Sequence, residues 1–479
     1  MGEHSIVFSL QDVRTFAHIS GDHNPIHVDP ITARRLIFGG AVAHGLFVVC
    51  WVIDRLAAEG LPVANLSRLR VSFRQPVFID RKINLTVTQG SSQTKAVVTQ
   101  DGTTCTVINL EFGDAPNRSE IHVSDHAIVS GDPKPLTAEK IAQARGTISL
   151  GYDKADLAAL FPLLSQEMPP LGVAQLLALT RIVGMECPGE RSLFCDFEVQ
   201  FGNSHDQGPL SFEVTEWDPR FKLVTIDVRG AGIRATLRAL LRSDPVRQPE
   251  TDELRSFVTG KPFQDQQALV VGGSRGIGEV CAKLLALGGV KHICLTYATG
   301  AKDAQVVASD LANYCEVHLA RFDVLRDKPP EGTYTHIYYF AAPRLRANIG
   351  PFNMDLFQFY NQYFVNGMAL LFEAYSRKTA VHLLQPSSLF VEIPERGFSE
   401  YATSKAASES LGRQLVAQYP SSVILTPRLP RVRTDQTQNV SNCNDTAAIL
   451  MPSLLELSMS PARSRAAVSS QSREIQRQW

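Results

Sequence analysis

FAHISGDHNPIHVDPITARRLIFGGAVAHGLFV, residues 16 to 48, breaks a short helical pattern with a polar loop and then restarts as an apolar helix. Leu10 to Ala17 carry helical spacing, and the stretch Ile19 to Pro30 interrupts it with two histidines, two aspartates, an asparagine and two prolines. Asp22 and His27 stand five positions apart around Asn24 and Pro25. Pro25 disfavours a continuous helix, so a bend can bring the carboxylate and the imidazole together. Such a pair around one water can move protons between neighbouring carbons of a substrate. The same residues also suit an Asx-turn with a capping aspartate and incidental histidines, and composition leaves both readings open.

Outward from this stretch, an apolar helix is predicted from Ala43 to Glu59, followed by alternating segments LSRLRVSFRQPVFI, KINLTVTQGSS, TKAVVTQDG and TCTVINLEFG. These read as antiparallel strands, so the first unit, 1–126, is an α+β arrangement with a sheet wrapped round one helix. The order recurs over 127–243, with an apolar helix from Gly172 to Val183 and strands after it, which points to a pseudo-duplication. Residues 244–265 are rich in proline and charge and read as a linker. From 266 to 479 strands alternate with helices, the pattern of an α/β doubly wound Rossmann domain, and the last forty residues lose periodicity and read as a partly mobile tail.

Composition limits function. Forty-seven basic against 48 acidic residues, a net charge of −1, supply no general field for nucleic acid or anionic lipid. The eight cysteines are scattered without metal-ligand spacing, which predicts reduced thiols in a cytoplasmic protein and no metal site. The longest apolar run, Ala41 to Ile53, contains His44 and is too short for a membrane span. The N-terminus has no signal-peptide pattern, and Gly2 lacks a myristoylation context.

In QALVVGGSRGIGEVCAKLLALGG, Gly272, Gly276 and Gly278 sit between an apolar strand and a helix. Glycines there let the backbone approach a pyrophosphate at the helix N-terminus. Further on, Ser388 precedes Tyr401 by thirteen residues, and Lys405 follows Tyr401 by four, one turn along a helix face. A nearby ammonium lowers a phenol's pKa, which predicts a tyrosine able to exchange protons near neutrality. ICLTYATG has no acidic residue to hold an NAD ribose, and Arg275 lies in the glycine turn, so the charge favours NADPH (NADP).

These motifs carry two resemblances. Residues 16–48 resemble the MaoC-like hot-dog proteins, the (R)-specific enoyl-thioester hydratases and 3-hydroxyacyl dehydratases. That resemblance implies a helix-in-sheet fold with Asp22 and His27 as the catalytic pair and Asn24 orienting them. It also implies the Gly45 backbone N–H as the donor to the thioester oxygen, and either member of the pair could serve the α-proton. Several such hydratases carry Ser where this chain has Val48, while His44 and His23 read as packing or loop residues, His44 being the stronger functional outsider. The segment LFPLLSQEMPPLGVAQLLALTRIVG distantly resembles hydroxyacyl-carrier dehydratases, but Leu160 and Gln175 stand where His and a carboxylate are wanted. The second unit is therefore expected to be a non-catalytic hot dog that helps form an acyl tunnel, with Glu167 as a weak alternative acid.

Residues 266–435 resemble a short-chain dehydrogenase/reductase of the ketoacyl-reductase type. This implies Tyr401 as general acid, Ser388 polarising the carbonyl, Lys405 binding the ribose and Asn366 supporting a proton relay. The cofactor would lie along Gly272, Ser274, Arg275, Gly276, Ile277 and Gly278, with Tyr297, Asp323, Ala341 and Lys405 beyond them. Val271, Ala341-Ala342-Pro343 and RLPRV depart from the family's pattern. Together the resemblances imply a 3-oxoacyl-thioester reductase joined to a 3-hydroxyacyl-thioester dehydratase in fatty-acid-like or polyketide-like biosynthesis. The thioester would sit on acyl carrier protein or coenzyme A and the chain would be a homodimer, with fusion raising the local concentration of both sites. A hydratase whose second domain only binds nucleotide or scaffolds, and a non-catalytic acyl-binding protein, are the other readings.

Overall fold

The run after His44 is apolar on almost every side, and it forms the helix Gly45–Ala58, in which every residue from Leu46 to Ile53 is buried. A helix buried all round needs a wrapping layer. The strands after it supply one: β2 (Leu66–Phe73), β3 (Lys82–Gln89), β4 (Thr94–Gln100) and β5 (Thr103–Phe112), with β1 (His4–Val7) on the edge. In the computed structural model the residues described are 4–113, 123–129, 131–202, 208–243, 246–437, 440 and 442–459. Gly2 and the tail from 460 lie outside them.

The arrangement repeats. The helix Pro170–Arg181, buried from Gly172 onward, precedes β7 (Ser192–Phe201), β8 (Ser211–Asp218), β9 (Leu223–Gly230) and β10 (Ile233–Leu241), while β6 (Arg145–Thr147) closes the far edge. The strands run β1-β3-β4-β5-β2-β7-β10-β9-β8-β6, so 2-5-4-3 and 7-10-9-8 repeat one order on either side of an antiparallel seam. Across that seam Val71 pairs with Phe197, and Glu198 accepts charge-assisted hydrogen bonds from Arg68 and Arg70. One core runs through both halves, from Phe8 and Trp51 to Leu177 and Val228.

The chain divides into two units, residues 1–244 and 245–479. In the second, β11 (Gln267–Val271), β12 (His292–Tyr297), β13 (Glu316–Arg321), β14 (His336–Tyr339), β15 (His382–Leu384) and β17 (Val423–Leu425) form a parallel sheet ordered β13-β12-β11-β14-β15-β17. Beside it, β16 (Ser387–Ser388) pairs with β18 (Arg428–Leu429). In doubly wound sheets of this order the crevice lies at the strand C-termini, where the order reverses beside the first strand.

Two segments differ from the pattern read in the sequence. The proline-rich stretch after residue 245 is packed: Leu254 and Phe263 are buried in the second unit's core, and Lys283 Nζ donates to the Pro249 carbonyl at 2.7 Å. Residues 446–459 form the helix Thr446–Met459, which buries Ala447, Leu450, Met451, Leu454 and Leu457. Those positions follow helical spacing, which Pro452 in the helix obscures in the sequence. Among the described residues no helix is long and apolar enough to cross a membrane.

Candidate active sites

The helix Leu10–Ser20 ends at Gly21, whose φ of +73° is the left-handed conformation that glycine adopts without strain. The chain then turns, and Asn24 caps the short helix Pro25–Val28 by accepting the Ile26 N–H. This bend sets Asp22 and His27 side by side at the wall of a cavity of about 250 Å³. Asp22 is 1% exposed. Its Oδ1 accepts the Asn24 backbone N–H at 3.2 Å and its Oδ2 accepts the Thr180 hydroxyl at 2.7 Å.

His27 Nδ1 lies 2.8 Å from the Val42 carbonyl. A carbonyl only accepts, so Nδ1 carries the proton and Nε2 keeps its lone pair. Burial pushes His27 down to about 3, helped by His44 and opposed by Asp22, so the ring is a neutral base at ordinary pH. Burial raises the Asp22 carboxyl above its usual range, against His27 and the Thr180 hydrogen bond, which lower it. The two shifts bring the proton affinities of the carboxyl and the imidazole toward each other.

Gly45 begins the central helix without a side-chain cap and lines the same cavity, as does Val48. A free helix N-terminus offers backbone N–H groups and a partial positive charge to a developing oxyanion. Phe73 closes over Gly45 so tightly that a side chain there would overlap its ring. Phe38, Val77, Leu193, Phe194 and Leu240 make the remaining wall predominantly apolar.

Three findings revise the first site. Asn24 touches Asp22 only through its backbone; its side-chain amide donates to the carbonyls of Gly184, Gly189 and Glu190 and so ties the loop to the second half. His44 is fully buried, donates from Nε2 to the Asp22 carbonyl at 2.9 Å and stacks on His27, which makes it part of the site. Thr180, Val183 and Gly184, which the sequence reading did not single out, line the cavity from the second half. Their one signal in sequence is a hydroxyl and a glycine inside an apolar helical run. Glu167 is exposed and absent from the cavity wall, and Gln175 is buried on the Ala231 carbonyl.

In the second unit, Gly272 has φ +77° and packs its backbone on Ala341, and Gly276 has φ +59°. A side chain at Gly278 would overlap the Gly272 carbonyl. Thr296 holds the turn by accepting the Gly272 and Gly273 N–H groups. Ser274 is buried, Ile277 and Tyr297 are half-buried, and the helix Gly276–Leu287 starts without a side-chain cap. This backbone cradle fits a dinucleotide pyrophosphate. Arg275 forms an ion pair with Asp435, and Asp323 accepts the Leu325 N–H in its own turn.

Tyr401 and Lys405 share the helix Ser399–Gln418, and Ser388 lies near enough to Tyr401 to work against the rise in its pKa. Lys405 Nζ donates to the Pro386 carbonyl at 2.7 Å and sits 3.9 Å from the centre of the Phe364 ring. Burial brings Lys405 down to about 7 and raises Tyr401 to about 12. The lowered tyrosine expected from a neighbouring ammonium is therefore not found: burial dominates at Tyr401 and also weakens proton binding by Lys405. Asn366 is exposed within the π-turn Gln362–Gly367, and Phe364 from the same turn packs against Lys405.

The first unit is thus a helix-in-sheet protein with an acid–base pair beside the N-terminus of its central helix. A family profile described as MaoC like domain matches residues 2–111. An (R)-specific enoyl-CoA hydratase of Rhodospirillum rubrum is 36% identical over 104 residues, 21% of this chain and 69% of the relative. The chain belongs to the MaoC-like family. The mitochondrial 3-hydroxyacyl-[acyl-carrier-protein] dehydratase of Arabidopsis thaliana is 35% identical over 77 residues, 16% of this chain. 3-Hydroxyacyl-thioester dehydratase X of Mycobacterium tuberculosis is 35% identical over 78 residues, also 16% of this chain. The chain spans 46% of the Arabidopsis relative and 27% of the Mycobacterium one. Among solved structures, a 3-oxoacyl (acyl-carrier-protein) reductase of Agrobacterium tumefaciens with NADP bound aligns at TM-score 0.36 and 15% identity, over 41% of this chain and 88% of its own. A Burkholderia cenocepacia short-chain dehydrogenase in complex with NADP aligns at TM-score 0.36 and 20% identity, over 43% and 94%.

Proposed function

We propose that the first unit catalyses reversible dehydration of a 3-hydroxyacyl thioester to a 2-enoyl thioester, and that the second reduces the 3-oxoacyl thioester that precedes it. The observation that carries the first activity is the Asp22–His27 pair at an apolar cavity that also receives the N-terminus of the Gly45–Ala58 helix. The Gly45 N–H polarises the thioester carbonyl and acidifies the α-carbon. His27 Nε2 takes the α-proton, and Asp22, carrying the pair's proton, delivers it to the departing β-hydroxyl as water. Proton return from His27 to Asp22 resets the site. The recurrence of strand order across the seam supports a double hot dog whose second half walls the acyl chain.

In the second unit, Gly272, Gly276, Gly278 and Ser274 would hold the cofactor's phosphates and Lys405 its ribose. NADPH supplies a hydride when bound. Ser388 orients the substrate carbonyl and Tyr401 donates the proton to its oxygen. Acyl carrier protein or coenzyme A as the carrier, and a homodimeric state, belong to the same proposal. The test is turnover of a 3-oxoacyl thioester on each carrier with mass analysis of the product, together with sedimentation. Enoyl product that disappears in Asp22→Asn while 3-hydroxyacyl product accumulates is the expected result. Enoyl product surviving both Asp22→Asn and His27→Ala contradicts the site.

A further inference from the structure

We infer that Thr180 is a positioning residue for the Asp22–His27 pair, so that the second half of the first unit completes the site of the first half. The inference rests on the dehydratase reading above. Asp22 has two oxygens to orient, and one of them, Oδ2, is held by the Thr180 hydroxyl at 2.7 Å. Thr180 is itself 3% exposed, so within the protein this bond does not compete with bulk solvent.

The surrounding backbone serves the same contact. Immediately after Arg181 the helix widens into the π-turn Ile182–Glu186, which brings Gly184 against the carboxylate, where any side chain would overlap it. π-turns of this kind insert a residue into a helix and commonly lie at functional sites. The Gly184 carbonyl accepts the Asn24 amide at 3.1 Å, and Arg181 Nη1 donates to the Ser20 carbonyl at 3.4 Å. Residues 180, 181 and 184 therefore grip the loop from Ser20 to Asn24 at successive points. The half that has Leu160 and Gln175 where the acid–base residues are wanted keeps the groups that aim the first half's carboxylate.

The charged and titratable groups facing Asp22 are His23 and His27 from its own loop, His44 through the Asp22 carbonyl, and Arg181 from the opposite helix. The Thr180 hydroxyl favours the ionised carboxylate, so its loss strengthens proton binding by the pair. Both directions of the reaction use the pair with one proton, and the alkaline limb of the rate profile reports loss of that proton.

The experiment compares the full chain with Thr180→Val and Thr180→Ser in hydration of a 2-enoyl thioester across pH. Thr180→Val, of the same shape without the donor, is expected to lower kcat by about 10²-fold. KM should change little, and the alkaline limb should move to higher pH. Thr180→Ser should restore both. Should Thr180→Val not fold, Thr180→Cys, with a weak donor, takes its place with the same two shifts expected. Wild-type kcat and an unmoved profile in a folded donor-poor variant overturn the inference if Asp22→Asn is inactive. Wild-type activity in Asp22→Asn instead overturns the dehydratase reading beneath it.

Discussion

The rings of His27 and His44 lie stacked with their centroids 3.8 Å apart, and His44 Nδ1 is buried without a hydrogen-bond partner among the described residues. Burial pushes both down to about 3. In the unfolded chain they titrate near the ordinary value of about 6.5. Between these values the unfolded state binds more protons, so stability is complete above about pH 6.5 and lost as pH falls, at about 1.4 kcal/mol per pH unit for each ring. The raised Asp22 carboxyl works in the opposite sense on acidification and offsets part of this. Urea midpoints followed by the fluorescence of buried Trp51 should fall from pH 7 to pH 5. His44→Phe should flatten that slope, and a pH-independent midpoint contradicts the assignment.

The same depression predicts an unusual rate profile. Hydration by the first unit should show no limb near the ordinary histidine pKa, because His27 stays neutral down to about 3. Steady-state rates between pH 5.5 and 7.5 check this, and a titration near 6.5 that vanishes in His27→Ala would count against it.

Gly184 is the position where the second half meets the Asp22 carboxylate without a side chain. Gly184→Ala should push Asp22 aside and lower kcat by about 10²-fold, since displacements near 1 Å carry that penalty. The far-UV circular dichroism should be unchanged, because Gly184 does not have the positive φ that would strain an alanine. Retention of wild-type kcat would show that the π-turn is not registered on Asp22.

In the second unit Asp435 pairs with Arg275, the cation of the glycine turn, while the Asp435 carbonyl accepts from Arg344 Nη1 at 3.2 Å. Asp435 thereby neutralises the charge that would attract a 2′-phosphate. Asp435→Asn should tighten binding of NADP⁺ relative to NAD⁺ by about tenfold, the discrimination associated with roughly 1.4 kcal/mol. Titration calorimetry with both nucleotides measures the ratio, and an unchanged ratio removes Asp435 from cofactor choice.

What could be read before the structure follows from how contacts are distributed along the chain. Asp22, His27 and Gly45 fall within one stretch of 24 positions, and Tyr401 and Lys405 within one helical turn, so local spacing exposes them. Thr180 lies 158 positions from Asp22, and the packing of the two halves, along the β2–β7 seam and between their helices, brings it there. The π-turn that carries Asn366 was not legible either, because it shifts the helical register by a residue and a sequence does not print that shift. The tyrosine's proton affinity was misjudged for a related reason: the ammonium is visible in sequence, whereas the burial that outweighs it is not.

The most direct test of the central claim is the rate of 2-enoyl-thioester hydration by Asp22→Asn in the full chain, with its fold confirmed by Trp51 fluorescence. The account predicts a loss of at least about 10²-fold, the usual contribution of a positioned acid or base. Hydration within twofold of the unaltered protein would contradict it.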